Sequence, residues 1–367
     1  MIDLMSTPRF LDLEITCRCN ARCRYCYYMN NEGVPYEELA TERWLALFEE
    51  AGNARVMEIC LAGGEPFMRK DLFELIDGIV RNRMRFQVLT NGHLVTRDVA
   101  RRLKQTGRLS RIQVSLDGSK PETHESMRGK GSFAPALNAV QVLHEEGLPV
   151  SVRVTVHGQN VEDLPEVAEL LLEEIGLPSF STNAASSLGT RTKYGDDVFL
   201  TPAMRLRAMH VLAELQDKYP GRVRAAAGPL AEWNMYLEME EARRRGEGIP
   251  GHGKLVGCGC IFFRMSIRAD GAYIPCVMLP QMVLGYIGQD SLEEVWRNSE
   301  QFNAFRERIH MALDSFEECQ GCEYLECCTG NCAGTSLSLL GDASRPSPEG
   351  CIRRFKEALA AEGLSLW

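Results

Sequence analysis

From residue 10 to about residue 185 the chain alternates short apolar runs with helical stretches, and this alternation restricts the fold more than any other feature. The pattern predicts strands at Phe10–Ile15, Val56–Ala62, Arg85–Thr90, Arg111–Leu116, Val150–Val156 and Ser179–Thr182. Helices are expected at Thr41–Ala51, Asp71–Asn82, Arg97–Thr106, Phe133–Glu146 and Val161–Glu174. Such a succession builds right-handed βαβ units on a parallel sheet. Six units are too few to close an eight-stranded barrel. An open or partial barrel is therefore expected, with its chemistry at the carboxyl ends of the strands.

The residues that could carry chemistry fall at that end. Cys19, Cys23 and Cys26, spaced C-x3-C-x2-C, directly follow the first strand. Gly63-Gly64-Glu65-Pro66 follows the second, Thr90-Asn91-Gly92 ends the third, and Ser115-Leu116-Asp117-Gly118 ends the fourth. Three thiolates can hold three corners of a cubic iron–sulfur cluster, leaving one iron open for a substrate or cofactor. On the triplet alone, a structural zinc site is the competing reading, with Cys17 and Cys19 completing a tetrahedron around the Cys23/Cys26 pair.

A chain of 367 residues has room for one large α/β domain and a smaller one. It has fourteen cysteines, and Met1–Phe10 lacks the basic-then-apolar pattern of a secretory signal. Metal or redox chemistry in a reducing cytoplasm is expected rather than disulfides. The net charge of −9 disfavours nucleic acid as a partner. No apolar run approaches a membrane span.

The run Cys19-Asn20-Ala21-Arg22-Cys23-Arg24-Tyr25-Cys26 resembles the C-x3-C-x-aromatic-C signature of the radical S-adenosylmethionine (SAM) enzymes, with Tyr25 as the aromatic. The resemblance implies that the open iron chelates SAM, whose reductive cleavage yields a 5′-deoxyadenosyl radical. Gly63, Gly64, Glu65 and Pro66 resemble the family's G-G-E-P motif, whose glycines let the backbone approach the methionyl moiety. A carboxylate or carbonyl there would receive its ammonium. Ser115 and Asp117 resemble the family's V-S-L-D-G stretch near the ribose. Asn91 and Arg153 are further candidate SAM contacts, although a buried Arg153 could simply pair with an acid. Asn160 reads as an N-cap for the following helix.

Nine of the fourteen cysteines lie in the last 110 residues. Their spacings are C-x10-G-x4-C from Cys260 through Gly271 to Cys276, then Cys319-x2-Cys322-x5-Cys328-x3-Cys332, then Cys351. On spacing alone, zinc and iron–sulfur remain open here. The pattern resembles the SPASM extension of radical SAM enzymes, which carries two auxiliary four-iron clusters. By that resemblance Cys258, Cys260, Cys276 and Cys332 would hold the first, and Cys319, Cys322, Cys328 and Cys351 the second. Full ligation of the first depends on Cys258. Together with the N-terminal triplet, the cofactors implied are three 4Fe-4S clusters and SAM. Leu284-Gly285-Tyr286-Ile287 and the following Ser291–Trp296 also resemble the family's segment between the cluster halves, and Ser291/Glu294 fit a capping box. Cys60 reads as core, and Cys17 and Cys327 as bystanders.

The expected organisation is a partial (β/α)6 TIM-like barrel over residues 1–200, a helical bridge with a Gly-rich hinge over 201–257, and a cysteine-rich SPASM domain over 258–367. Thr201-Pro202 should open a helix to about Tyr219. A second helix near Leu230–Arg245 carries Arg243-Arg244-Arg245 as a solvated face, and Gly246–Gly257 forms the hinge.

The resemblance implies a radical SAM oxidoreductase that abstracts a hydrogen from a ribosomally made peptide, giving a crosslink or related oxidation. Only about ten residues precede the first strand, which implies a separate leader-binding protein or none. Reduction implies a donor such as flavodoxin or ferredoxin. Formylglycine-type sulfatase maturation is disfavoured, because Val277 stands where those enzymes place an Asp. Asp290 or Glu65 would have to substitute as base. Small-molecule dehydrogenation is a further alternative, and a non-catalytic iron–sulfur or zinc-stapled binding protein is the reading from another class. No residue is assigned as the catalytic base.

Overall fold

The computed structural model describes residues 4–28, 36–185 and 198–367. Strands β1 (Phe10–Thr16), β2 (Glu58–Gly63), β3 (Arg85–Thr90), β4 (Leu109–Ser115), β5 (Val150–Val156), β6 (Phe180–Ala184) and β7 (Val223–Ala225) lie side by side in sequence order, all parallel. The six expected strands are present within a few residues of their expected bounds. Helices α1 (Thr41–Asn53), α2 (Leu72–Arg81), α3 (Arg97–Gln105), α4 (Pro121–Arg128), α5 (Phe133–Glu145), α6 (Leu164–Glu169), α7 (Pro202–Lys218) and α8 (Pro229–Arg245) connect or follow them.

Strand alternation separates two faces. On one, Leu13, Leu61, Val88, Val114 and Val154 are fully buried beneath the helices. Burial of each such side chain stabilises the fold by roughly 1.5–3 kcal/mol. The opposite face is polar, with Asp12, Cys60, Gln87 and Arg111 standing in one register row. Arg264 donates to Asp12 at 2.6 Å, and Arg111 to Gln87 at 2.5 Å.

Beyond β1 the sheet continues. Strand β8 (Arg264–Ile267) pairs parallel to β1, followed antiparallel by β9 (Ala272–Ile274) and β10 (Gly285–Tyr286). The start of the cysteine-rich region is thus woven into the barrel sheet, and the expected boundary at 257/258 is not a break in it. The Gly-rich stretch is not a free hinge either. Ile249 N donates to Glu326 O (3.1 Å), Gly253 N to Cys328 O (2.9 Å) and Gly257 N to Thr329 O (2.8 Å).

Two helical expectations need correction. The run Val161–Glu174 is a 3-10 turn, α6 and a π-helical segment in succession. Helix α4 was not expected, because its eight residues bury only His124 and Met127 and offer little apolar periodicity. Thr201 caps α7 as expected, accepting from Met204 N at 3.2 Å. Ser291 likewise accepts from Glu294 N at 3.2 Å. Arg243, Arg244 and Arg245 all engage acids, chiefly Glu240 and Glu241. Among the described residues no helix is long and apolar enough to cross a membrane.

Candidate active site at the carboxyl ends of the strands

The loop after β1 is pinned at its base. Glu38 accepts from Cys17 N (3.0 Å) and from Arg18 Nη2 (2.9 Å). Cys19, Cys23 and Cys26 follow, half-buried and free of disulfides. Ala21 N donates to Cys19 Sγ at 3.4 Å. Burial pushes the Cys23 thiol up to about 12; Arg128 offsets part of this, while Cys26, Asp117 and Cys19 add to it. Burial also raises the Cys19 thiol, and the two raised thiols beside Cys26 suit a site completed by a cationic metal group. They would hold an iron–sulfur cluster here.

The Gly63-Gly64 turn is packed against this loop. Gly63 has φ +119°, and a Cβ on Gly64 would stand 2.2 Å from Arg18 O. Gly64 N and Glu65 N donate to Thr16 O and Arg18 O, both at 2.8 Å. Glu65 does not face an open site. Its carboxylate accepts from Phe67 N (3.2 Å), Thr90 Oγ1 (2.8 Å) and Asn91 N (2.8 Å), locking β3 to β2. Burial lifts it to about 7 against those hydrogen bonds. Pro66 opens the short helical turn that follows. The Asn91 side chain reaches the loop, donating to Asn20 Oδ1 at 2.7 Å and to Cys19 Sγ at 3.9 Å.

Asp117, expected near the ribose, is a buried strut. It has no exposed surface. Its oxygens accept from Arg128 Nε (2.6 Å), from Thr155 N (2.9 Å) and from the Tyr25 hydroxyl. Burial opposes its charge, but Arg128 more than compensates and holds the carboxyl below its usual range. Asn160 stands at the N-cap of the helical turn Val161–Asp163 as expected, but its side chain makes no capping hydrogen bond. Its amide donates to Asp117 O (2.8 Å) and Thr155 O (2.9 Å). His124 and His157 flank the strut, both pushed down to about 4, chiefly by burial. Arg128, at the end of α4, was missed from the sequence. Its signal is its fixed distance from Asp117 through a Pro-initiated helix.

Ser115 pairs in register with Arg153, and Arg153 with Ser181. Arg153 Nε and Asn183 Oδ1 are buried without a hydrogen-bond partner among the described residues. The acid partner considered for Arg153 is not observed there. These two unpartnered polar atoms, on β5 and β6, suit a polar ligand. Asp290 is exposed and accepts from Tyr286 N in a turn (2.9 Å), whereas Glu65 is buried among its donors.

The C-terminal thiols gather in two sets. Burial raises Cys332, with like-charge contributions from Cys276 and Cys258. Burial likewise lifts Cys319 and Cys328 to about 11 each, with Cys351 and Cys322 contributing to both. The side chain of Cys260 lies outside the described residues. Cys17 meets the Tyr28 hydroxyl at 3.1 Å, Cys327 donates to Glu247 O at 3.5 Å, and Cys60 is buried in β2.

Residues 13–171 match the radical SAM superfamily, and residues 258–323 match the SPASM iron–sulfur cluster-binding domain. The chain carries a radical SAM domain followed by a SPASM domain. Its cofactors are SAM and iron–sulfur clusters. The radical SAM chain is 29% identical over 366 residues to the AdoMet-dependent heme synthase of Methanosarcina barkeri, spanning 96% of this chain and 99% of that protein. It is 26% identical over 339 residues to the PqqA peptide cyclase of Ruegeria pomeroyi, spanning 91% and 85%. The structure of Streptococcus suis SuiB bound to S-adenosylmethionine superposes with a TM-score of 0.72 at 17% identity, covering 95% of this chain and 78% of SuiB. That last likeness is one of fold.

Proposed function

We propose that this radical SAM enzyme removes a hydrogen atom from a ribosomally made peptide and completes an oxidative modification of it. The observation that carries the reading is the convergence of the cysteine triplet, the Gly63-Gly64 turn and the orphaned Arg153 at one end of a polar-lined sheet. The bound SAM and cluster would supply the carbon radical that begins the reaction. The protein's part is to hold, orient and shield. Cys19, Cys23 and Cys26 would ligate the cluster, and the Gly63-Gly64 backbone would admit the methionyl group. Ser115, Arg153 and Asn183 would bind polar groups of SAM or substrate. Two auxiliary clusters, on Cys258, Cys260, Cys276 and Cys332 and on Cys319, Cys322, Cys328 and Cys351, would take the electron left on the substrate.

A peptide substrate is supported by relatives named as PqqA peptide cyclases and by the SuiB structure with its precursor peptide SuiA. A flavodoxin or ferredoxin donor, a separate leader-binding protein and a reducing cytoplasm belong to the same proposal. A second reading, an iron porphyrin substrate, is favoured by the end-to-end match to the heme synthase and by the Fe-coproporphyrin III synthase, 29% identical over 358 residues.

The test begins with anaerobic reconstitution and assay of 5′-deoxyadenosine from SAM and dithionite. Wild type should carry about twelve irons per chain, and the Cys19/Cys23/Cys26→Ala variant about eight with no deoxyadenosine. Bound zinc without deoxyadenosine would overturn the cluster assignment. Titration with iron coproporphyrin III then separates the substrate readings: a saturable Soret shift followed by turnover selects the porphyrin, and its absence selects the peptide.

A further inference from the structure

Helix α4 and the cluster loop are joined at two points that no motif assigns. Arg24 N donates to Met127 O at 2.8 Å. One residue further on, Arg128 Nη1 lies 3.9 Å from Cys23 Sγ and its guanidinium carbon 5.4 Å from the Tyr25 ring centroid. The Arg128 side chain is 10% exposed and that of its partner Asp117 is 0% exposed. Asp117 is itself fixed from three directions, by Thr155 N, by the Tyr25 hydroxyl and, through its own N–H, by His124 Nδ1 at 3.1 Å. A guanidinium, always charged and held by a carboxylate, is thereby parked against a sulfur of the triplet.

We propose that the Arg128–Asp117 pair is a positioning device that sets the reduction potential of the cluster held by Cys23. Hydrogen bonds and charge beside ligating sulfurs are recognised determinants of such potentials. One electron enters from the reductant and no proton moves, so the cluster region gains one negative charge. A fixed positive charge at Cys23 favours that reduced state. Asp117 keeps the guanidinium in place and also moderates its field. Arg128 contacts the sulfur rather than the reacting atoms, so it acts through the cluster. The inference rests on Cys23 being a cluster ligand.

The experiment is an EPR-monitored redox titration of reconstituted full-length protein, following the reduced-cluster signal that SAM perturbs. R128Q should shift its midpoint to more negative potential and R128K should restore most of the wild-type value. D117N should shift it the opposite way while retaining Arg128. Deoxyadenosine formation with a weak donor should fall in R128Q and recover when a stronger reductant is used. Midpoints of R128Q and D117N that match wild type, or that move in the same direction, would overturn the proposal. If R128Q loads no cluster, D117N decides it: a midpoint more positive than wild type, with R128K close to wild type, supports the proposal, and an unchanged or more negative D117N midpoint overturns it. A wild-type protein with no SAM-perturbed signal would instead remove the ligand assignment, and the inference with it.

Discussion

Glu14 shows how a single side chain on the inward face of β1 is set apart by its surroundings. It is 1% exposed, and its Oε2 has no hydrogen-bond partner among the described residues. Burial lifts it from 4.5 to about 8, only partly offset by Arg268, and nearby Cys276 and Asp270 raise it further. The folded protein therefore holds a proton on Glu14 that the unfolded chain releases above about pH 4.5. Stability from this group is lost as pH rises from that value towards 8. In the apoprotein, E14Q should be more stable than wild type by on the order of 3 kcal/mol at pH 8, the gap closing towards pH 4.5. Melting temperatures across that range check this, and a pH-independent difference would refute it. The sequence displays Glu14 only as one acid within Phe10–Thr16. Its burial depends on β8, a strand contributed from more than 240 residues away.

Among the elements, the strand-end turns were the most legible, because alternation and glycine pairs are local signals. Gly63-Gly64 could be placed from sequence, and the structure gives the steric reason. A methyl group on Gly64 meets the Arg18 carbonyl, a backbone atom with no freedom to retreat. G64A should cost about 1–3 kcal/mol by overpacking, seen as a fall in denaturant midpoint, and should weaken SAM binding in calorimetry more than it lowers iron content. Equal SAM affinity in G64A and wild type would contradict this. Helix α4 was illegible for the opposite reason. Its sequence, Pro121–Arg128, is polar because it carries a buried ion pair rather than an apolar stripe. Asp117 was found but misread: a short acid at a strand end serves a ligand or an internal partner equally well on paper, and only the position of Arg128 decides.

Across the whole molecule, the two larger of three hydrophobic clusters among the described residues carry most of the packing. The main one lies between the sheet and its helices. A smaller one gathers Tyr236, Met239, Tyr324, Phe355 and Leu359, with Cys322 and Cys328 against it. Ligands drawn from separated segments would staple this smaller core once metal is bound. Iron removal should therefore raise hydrogen exchange first across residues 317–332, while the amides of β1–β5 stay protected. Uniform loosening of both regions would argue against a local staple.

The parallel pairing of β8 with β1 makes the cysteine-rich region a poor candidate for modular exchange. Arg9 N and Phe10 N both donate to Phe263 O, at 2.8 and 3.1 Å, so the register of β8 is set by the segment that leads into the cluster loop. A chimaera that grafts another enzyme's extension at residue 258 would replace a strand of the barrel, not a peripheral module. Grafts should succeed only where the incoming strand reproduces that register. Inheritance of new substrates in such proteins would then require the two halves to change together.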